Sequence, residues 1–142
     1  MSPSRGDTTW TVTEVIDGDT IAVTREGESD TVRLLGVDTP ETKHPDRPVG
    51  CFGPEAAAFT ASRLAGREVV LETDVEVRDL YDRRLAYVTV DGEHFNETLL
   101  REGYATLLVI PPNDRYGRSL LRAELDARSA QRGLWSACAS TQ

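Results

Sequence analysis

Long apolar stretches are absent from this sequence, and no run approaches the roughly 20 residues that a membrane-spanning helix needs. The first ten residues also lack the apolar segment of a signal peptide. Only two cysteines are present, Cys51 and Cys138, and their spacing matches no zinc site. From the residues alone, a disulfide and a pair of free thiols in a reducing cytosol are equally open.

Lysine is almost missing too, because the 16 basic residues include a single lysine, Lys43. Acidic residues number 24, so the formal net charge is −8, the wrong sign for a protein whose affinity rests on many phosphate contacts. Such a composition fits either a high-salt habitat or a GC-rich genome that encodes arginine in place of lysine, and neither identifies a function. A chain of 142 residues that is 39% apolar and 28% charged is typical of one globular domain.

Hydrophobic patterning predicts strands first and helices later. Alternation and turn residues indicate a three-stranded meander over residues 11–15, 20–24 and 31–37, followed by a proline-rich loop from 38 to 53. Gly53-Pro54-Glu55 is typical of a helix start, and Gly66 is expected to end that helix. Two more strands are predicted over residues 69–77 and 85–90.

Two helices are predicted in the last third of the chain. Asn96 is expected to cap a short helix that ends at Gly103, and a longer helix covers residues 119–132. The inner face of the longer helix is predicted to carry two leucines and three alanines, namely Leu121, Leu125, Ala123, Ala127 and Ala130. Five largely antiparallel strands and three helices predict an α+β fold, a five-stranded OB-type β-barrel with three α-helices.

Charged residues concentrate beside these strands in three segments, 17–20, 33–41 and 78–84. Considered singly, the Asp17-Gly18 segment is best explained by ordinary turn chemistry, whereas for the acids at 38 and 41 a functional pair and solvated loop residues are equally open. Arg33 is less ordinary, because it opens an apolar strand and its charge therefore needs a partner or a cleft.

Together, the three segments are suited to chemistry on a phosphate. Asp19, Asp38 and a backbone carbonyl are hard oxygen ligands suited to Ca²⁺, and Glu41 is suited to activate a water as general base. Arg33 and Arg83 are suited to hold a phosphate and to stabilise charge developing at phosphorus. Three acids and two bases sum to −1 without metal and to +1 with Ca²⁺, which predicts that binding of a phosphodiester depends on the metal.

Several short motifs occur in a fixed order along the chain: Asp17-Gly18-Asp19-Thr20, residues 33–42, Gly53-Pro54-Glu55-Ala56, Arg83-Arg84-Leu85-Ala86-Tyr87, Asn96-Glu97 and Gly133-Leu134-Trp135. Each motif is weak alone, but the ordered set resembles the staphylococcal nuclease (thermonuclease) family from about residue 10 to residue 138. The resemblance predicts a domain over residues 10–138, a disordered extension at 1–9 and a short tail at 139–142.

This resemblance implies an OB-type barrel with calcium-dependent phosphodiesterase activity on DNA and RNA. Cleavage at the 5′ P–O bond would leave 3′-phosphates. The calcium ligands that it implies are the carboxylates of Asp19 and Asp38 and the carbonyl oxygen of Thr39. The catalytic residues that it implies are Arg33 and Arg83, which hold the scissile phosphate, and Glu41, which acts as general base or orients the attacking water. The expected substrate is single-stranded or frayed nucleic acid, bound by a monomer that has no membrane contact.

Two departures from the family's pattern concern substrate binding. Asp82 stands where the staphylococcal enzyme has a glycine, and we expect its carboxylate to pair with Arg84 rather than to draw charge from Arg83. Residues 107–110 offer no aromatic ring or hydroxyl where that enzyme has two tyrosines, so looser substrate binding is expected.

Other side chains are candidates for contacts with the substrate. Lys43 and Arg47, in the loop, either touch phosphates or are simply exposed. Tyr81 and Tyr116 are candidate replacements for the missing rings. His94 is expected to lie on the surface.

Bacterial relatives with cysteines at the same two places lead us to expect a Cys51–Cys138 disulfide, which would join the loop to the C-terminal tail. A disulfide favours an extracytoplasmic protein whose leader is absent from this sequence, and an unlinked pair in a cytoplasmic protein is the alternative. The alternative to a nuclease is a nuclease-like module that binds nucleic acid or protein without cutting. The net charge weakly favours the module, whereas the complete set of acids and arginines favours the enzyme.

Overall fold

A computed structural model describes residues 7–42, 46 and 48–138. The strands in that part of the chain are β1 (Asp7–Asp17), β2 (Thr20–Arg25), β3 (Glu28–Leu34), β4 (Gly36–Asp38), β5 (Glu68–Glu72), β6 (Arg84–Val90), β7 (Glu93–His94) and β8 (Thr106–Leu108). The helices are α1 (Gly53–Leu64), α2 (Phe95–Arg101), α3 (Gly117–Ala130) and α4 (Leu134–Ala137). None of these helices is long and apolar enough to cross a membrane.

Five of the strands close into a barrel. Antiparallel ladders join β3, β2, β1, β5 and β6 in that order, and a parallel pairing of β3 with β6 closes the sheet. Apolar side chains alternate toward the interior, where Val12, Ile21 and Val32 from successive strands are fully buried. The predicted α+β fold with an OB-type barrel is confirmed, with α4 as a short helix beyond the three predicted ones.

The segment predicted as one strand over residues 31–37 is in fact two strands. Gly36 has a φ of 80°, which turns the chain out of the barrel after Leu34, and β4 then pairs with β8. A side chain on Gly36 would overlap the Leu120 side chain, so the turn needs glycine for space as well as for conformation. The β4–β8 ladder places Asp38 opposite Thr106 and thereby fixes the chain that leads into the predicted site.

The start of α2 differs from the prediction. The N-cap is His94, whose Nδ1 accepts a hydrogen bond from the Glu97 amide at 3.2 Å. Asn96 is fully buried inside the helix and joins α2 to the barrel. Its side chain accepts from the Val88 amide and donates to the Leu35 carbonyl, both at 2.8 Å. The prediction of Asn96 as the cap is wrong because these tertiary bonds outweigh its local capping preference.

The buried face of α3 is also shifted relative to the prediction. Ala123 and Ala127 are buried as predicted, but Leu121, Leu125 and Ala130 are exposed. The face is completed instead by Leu120 and Glu124. A buried glutamate is tolerated because its carboxylate accepts a hydrogen bond from the amide of Leu107, in β8, at 2.7 Å.

Two element boundaries differ as well. The strand predicted over residues 69–77 ends at Glu72, and an irregular segment leads from there to β6. Strand β1 begins at Asp7 and pairs with β5 from there, so it overlaps the predicted extension at 1–9 by three residues. Residues 1–6 and 139–142 lie outside the described part of the chain.

Candidate active site

A depression of about 340 Å³ lies beside the β1–β2 turn and the end of β4. Six of its lining residues are those predicted as metal ligands or catalytic residues: Asp19, Arg33, Asp38, Thr39, Glu41 and Arg83. Residues that are up to 64 positions apart in sequence therefore meet at one surface because the closed barrel brings β2, β3 and the approach to β6 together.

Asp19 is the most buried carboxylate among the predicted site residues, with 7% of its surface exposed. One carboxylate oxygen accepts from the Thr20 hydroxyl and the other from the Thr39 amide, each at 3.0 Å. The second bond ties the β1–β2 turn to the segment that follows β4. Asp19 is thus held by the barrel on one side and by the β4 segment on the other.

Arg33 is anchored in the wall of the depression. Its Nη1 donates to the carbonyls of Leu34 and Val37, both at 2.7 Å. Its Nη2 lies 3.3 Å from a carboxylate oxygen of Asp19 and 3.3 Å from one of Asp38. The sequence predicted that Arg33 needed a partner or a cleft, and the structure gives it both.

Glu41 lies just beyond β4, and its backbone is held by the turn that precedes α1. The Glu41 carbonyl accepts a hydrogen bond from the Gly50 amide at 2.7 Å. Gly53 packs against the same carbonyl so closely that a Cβ there would lie 3.0 Å from the oxygen. The placement of Glu41 at the depression therefore depends on residues nine to twelve positions further along the chain.

Asp17 also lines the depression, although sequence reasoning treated it as part of a turn. Its carboxylate accepts from the Gly18 amide at 3.0 Å and from the Thr42 hydroxyl at 2.6 Å. Burial raises the pKa of Asp17 despite these two bonds, and the nearby carboxylates of Asp19 and Glu41 add to the increase. The only sequence signal for this role is that Asp17 is one of two acids in the Asp-Gly-Asp turn, which hairpin chemistry explains equally well.

Arg83 has a dedicated carboxylate partner that the sequence analysis missed. Asp79 accepts from the Arg83 Nε at 2.8 Å and from the Arg83 amide at 2.9 Å. Burial alone would raise the pKa of Asp79, but these bonds outweigh burial and lower it, so the carboxylate is ionised at neutral pH. The pair orients the guanidinium toward the depression.

Asp82 does not pair with Arg84, so that expectation is wrong. Arg84 binds Asp30 through its Nε at 2.9 Å, while the Asp82 carboxylate lies 3.7 Å from the Nε of Arg78. Asp82 takes a φ of 63°, which turns its side chain to solvent and away from Arg84. The backbone at this position has the conformation that glycine adopts most readily.

The predicted substrate contacts are only partly placed. Tyr81 is 80% exposed and does not line the depression, although the Arg83 guanidinium lies 5.4 Å from its ring centre. Tyr116 does not line the site, because its hydroxyl donates to Glu72 and its ring packs edge-on against Tyr87. It therefore cannot replace a stacking group. Lys43 and Arg47 lie outside the described residues.

A second cavity of about 640 Å³ adjoins the depression, with Arg33 and Arg83 lining both. Its other wall is apolar and includes Leu35, Leu108 and Ile110. No aromatic side chain is among its described lining residues, in agreement with the lack of aromatic residues in the 107–110 segment.

Within residues 7–42, 46 and 48–138, no group of three or more histidine, cysteine or acidic side chains is arranged to hold a metal. The predicted ligand set needs fewer side chains, because it combines two carboxylates with a backbone carbonyl and water. The Thr39 hydroxyl, which packs against Gly18 between Asp17 and Asp19, is buried and has no hydrogen-bond partner among the described residues. Hard oxygen donors with an unsatisfied polar neighbour fit a Ca²⁺ ion.

The two cysteines form a disulfide, with an S–S distance of 2.08 Å.

His94 is half-buried rather than on the surface, and its ring lies 5.0 Å from that of Tyr116. Burial lowers the pKa of His94, and the negative charges of Glu97 and Glu72 only partly oppose this change.

Known proteins are similar in sequence to this chain over most of its length. The model of the staphylococcal nuclease homologue family matches residues 31–137. The thermonuclease of Staphylococcus intermedius is 44% identical over 131 residues, which cover 92% of this chain and 77% of that protein. The thermonuclease of Staphylococcus hyicus is 42% identical over 90% of this chain and 76% of its own length. Endonuclease YncB of Bacillus subtilis strain 168 is 43% identical over 89% of this chain and 61% of its own length.

Proposed function

Because the chain belongs to the staphylococcal nuclease family, and is therefore a nuclease, we propose that it is a calcium-dependent, sugar-nonspecific endonuclease of DNA and RNA. The observation that carries this proposal is the meeting of the two predicted arginines and the three predicted carboxylates in one depression, since a general base and groups that stabilise charge at phosphorus must lie together to hydrolyse a phosphodiester.

Each of these side chains has a role in the proposed reaction. Glu41 accepts a proton from the water that attacks phosphorus. Arg33 and Arg83 bind the non-bridging oxygens of the scissile phosphate and stabilise the charge that develops there. Arg83 also assists departure of the 5′ oxygen, so that the products carry a 3′-phosphate and a 5′-hydroxyl.

Calcium would be held by the carboxylates of Asp19 and Asp38 and the carbonyl of Thr39, with water completing its shell. When bound, the ion adds positive charge beside the phosphate and acts as a Lewis acid. In the described structure Arg33 bridges the two carboxylates, which keeps their oxygens directed into the depression.

The adjoining apolar cavity would take the base of a neighbouring nucleotide. Leu108 and Ile110 offer apolar contact but no ring to stack on, and stacking on a ring is worth about 1–3 kcal/mol per base. We therefore expect a high KM and a preference for single-stranded or frayed substrates, whose bases are accessible. The protein is expected to act as a monomer, which light scattering in solution would test by a mass of 15.6 kDa.

The disulfide supports a location outside the reducing cytosol. Fractionation of the native organism would test this proposal, and recovery of the protein in the cytoplasmic fraction would contradict it.

The test is hydrolysis of single-stranded DNA and of RNA at mildly alkaline pH, with calcium or with EDTA. The wild type is compared with Glu41→Gln and Arg83→Ala, and with Glu68→Gln and Arg122→Ala as matched variants at exposed positions away from the depression. We expect calcium-dependent cleavage that falls by about 10²-fold or more in the first two variants and is unchanged in the other two.

The ends of the products test the direction of cleavage. Oligonucleotides with 5′-hydroxyl ends accept a kinase label without prior dephosphorylation, and we expect this result. Labelling only after phosphatase treatment would refute cleavage of the 5′ P–O bond. A folded wild type that binds calcium and nucleic acid but cuts neither substrate would favour the binding-module alternative.

A further inference from the structure

The Cys51–Cys138 disulfide lies on the far side of a segment that lines the depression. A small cavity of about 220 Å³ is lined by both cysteines and by Asp38, Thr39 and Pro40. Asp38 and Thr39 also line the depression, so the segment from 38 to 40 separates the disulfide from the proposed active site.

The Cys138 end of the disulfide is fixed to the helical layer. The Leu134 side chain is buried, and its amide donates to the Gly103 carbonyl at 2.8 Å. The Cys138 amide donates in turn to the Leu134 carbonyl at 3.0 Å. Gly103 and Gly133 lie so close together that a side chain on either residue would overlap the backbone of the other segment. Cys138 is thus connected through Leu134 to the close contact between Gly103 and Gly133.

The Cys51 end lies in the turn that holds Glu41. On one side of Cys51, the Gly50 amide donates to the Glu41 carbonyl at 2.7 Å, and a Cβ on Gly50 would lie 3.1 Å from the Glu41 nitrogen. On the other side, Gly53 packs against the Glu41 carbonyl. The turn therefore contacts both ends of the Glu41 residue, and Cys51 is the point at which this turn is bonded covalently to Cys138, the residue that follows α4.

We propose that Cys51 and Cys138 are positioning residues for Glu41, and that the rate of the reaction depends on the integrity of their disulfide. The inference rests on the proposed function, in which Glu41 takes the proton from water. Asp19 lies in the β1–β2 turn and accepts from the Thr20 hydroxyl, and Asp38 lies in β4, which pairs with β8, so neither is held by the turn that contains Cys51. Loss of the disulfide should therefore change the general base more than the calcium ligands.

The decisive comparison measures kcat, KM and the calcium concentration for half-maximal activity with and without the disulfide. Dithiothreitol reduces the bond to two thiols by giving up two electrons and two protons, and it ends as its own cyclic disulfide. The double variant Cys51→Ser/Cys138→Ser gives the same state without reductant. Adding dithiothreitol to this variant controls for effects of the reagent.

We expect kcat to fall about tenfold or more on reduction and in the double variant, because a small misplacement of a catalytic group has a large effect on rate. Phe52, next to Cys51, stacks on Tyr104 with ring centres 5.4 Å apart, a contact that does not need the disulfide, so the loss should be smaller than in Glu41→Gln. KM and the calcium requirement should change less than about threefold. Equal activity of the oxidised and reduced protein would overturn the proposal.

A second comparison separates positioning of Glu41 from general loosening of the fold. In the Glu41→Gln background, removal of the disulfide should have little further effect on kcat, because the group it positions is already gone. A loss of the same factor in this background would overturn the proposal, since the disulfide would then act through the whole fold.

Hydrogen exchange supplies a readout that does not need activity. The Gly50 amide should lose protection on reduction, whereas the barrel amides of Val88 and Leu34 should keep theirs. Unchanged protection at Gly50 would refute the positioning role even if the protein proved to have no nuclease activity. Lack of activity in the oxidised protein, with protection of Gly50 dependent on the disulfide, would refute only the proposed function.

Discussion

Replacement of Asp79 by asparagine isolates the contact that orients Arg83. One oxygen of Asp79 accepts from the amides of Tyr81 and Arg83, at 3.0 and 2.9 Å, and shapes the loop. The other oxygen accepts from the Arg83 Nε at 2.8 Å. Asparagine can keep the first oxygen as an acceptor, but it then presents an NH₂ group to a guanidinium NH. The loop is kept while the side-chain pairing is lost.

The size of the effect follows from the exposure of the pair. The side chains of Arg83 and Asp79 are 31% and 20% exposed, so solvent screens part of their attraction. A charge-assisted hydrogen bond in such a setting contributes about 1 kcal/mol. If that energy holds the guanidinium in its reactive orientation, its loss lowers kcat about fivefold, since 1.4 kcal/mol corresponds to a factor of about ten. KM should not rise, because the variant is less negative by one charge.

The assay is steady-state hydrolysis of single-stranded DNA at saturating calcium, with Asp82→Asn as the matched control. That control removes one negative charge from the same loop, but its carboxylate lies 3.7 Å from Arg78 and does not contact Arg83. We expect its kcat to stay within about twofold of the wild type. Equal losses in the two variants, or no loss in Asp79→Asn, would refute the orienting role. In an Arg83→Lys background the Asp79→Asn change should lose most of its effect.

Three further predictions concern stability and salt. Burial lowers the pKa of His94 below 6.5, so the unfolded state binds more protons and the free energy of unfolding falls as pH drops through about 6.5. The His94→Asn variant keeps a capping side chain and should flatten this pH dependence, measured by urea unfolding at a series of pH values. An unchanged pH dependence in this variant would contradict the prediction. The Asp82→Gly variant should have a free energy of unfolding about 0.5–1 kcal/mol higher than the wild type, because glycine adopts a φ of 63° more readily than aspartate. Thermal unfolding should show this as a higher Tm, and a lower Tm would refute the prediction. Because the net charge is −8, activity should decline only weakly with added salt, and a steep loss from low salt upward would count against that expectation.

The sequence predicted the barrel well because its strands carry a local signal, alternation bounded by turn residues. It failed where tertiary contacts decide. Val75 and Val77 extend the β-rich pattern beyond Glu72, yet both are exposed on an irregular segment. The predicted inner face of α3 differs from the observed one because a sequence pattern does not reveal that Glu124 is buried and bonded to a distant amide.

The site could be predicted to a similar extent. The residues that line the depression stand in ordered motifs, and their chemical types alone suggested a phosphate and a cation. Asp17 and Asp79 were missed because an acid in a turn is common and its role depends on which groups the fold brings near. The pairing expected for Asp82 was wrong for the same reason, since the positive φ of its backbone directs the carboxylate away from Arg84.

The two missed acids change the electrostatics of the site. With Asp17 and Asp79 included, five carboxylates and two guanidinium groups surround the depression, a net charge of −3 when all are ionised. One Ca²⁺ would reduce this charge without reversing it, so net attraction does not bring a phosphodiester to the site. Binding must instead depend on directed contacts from Arg33 and Arg83, each held in place by its own carboxylates. Orientation of these two arginines, rather than their charge alone, should therefore control the rate, and for this reason the partner carboxylate of Arg83 is expected to affect kcat more than KM.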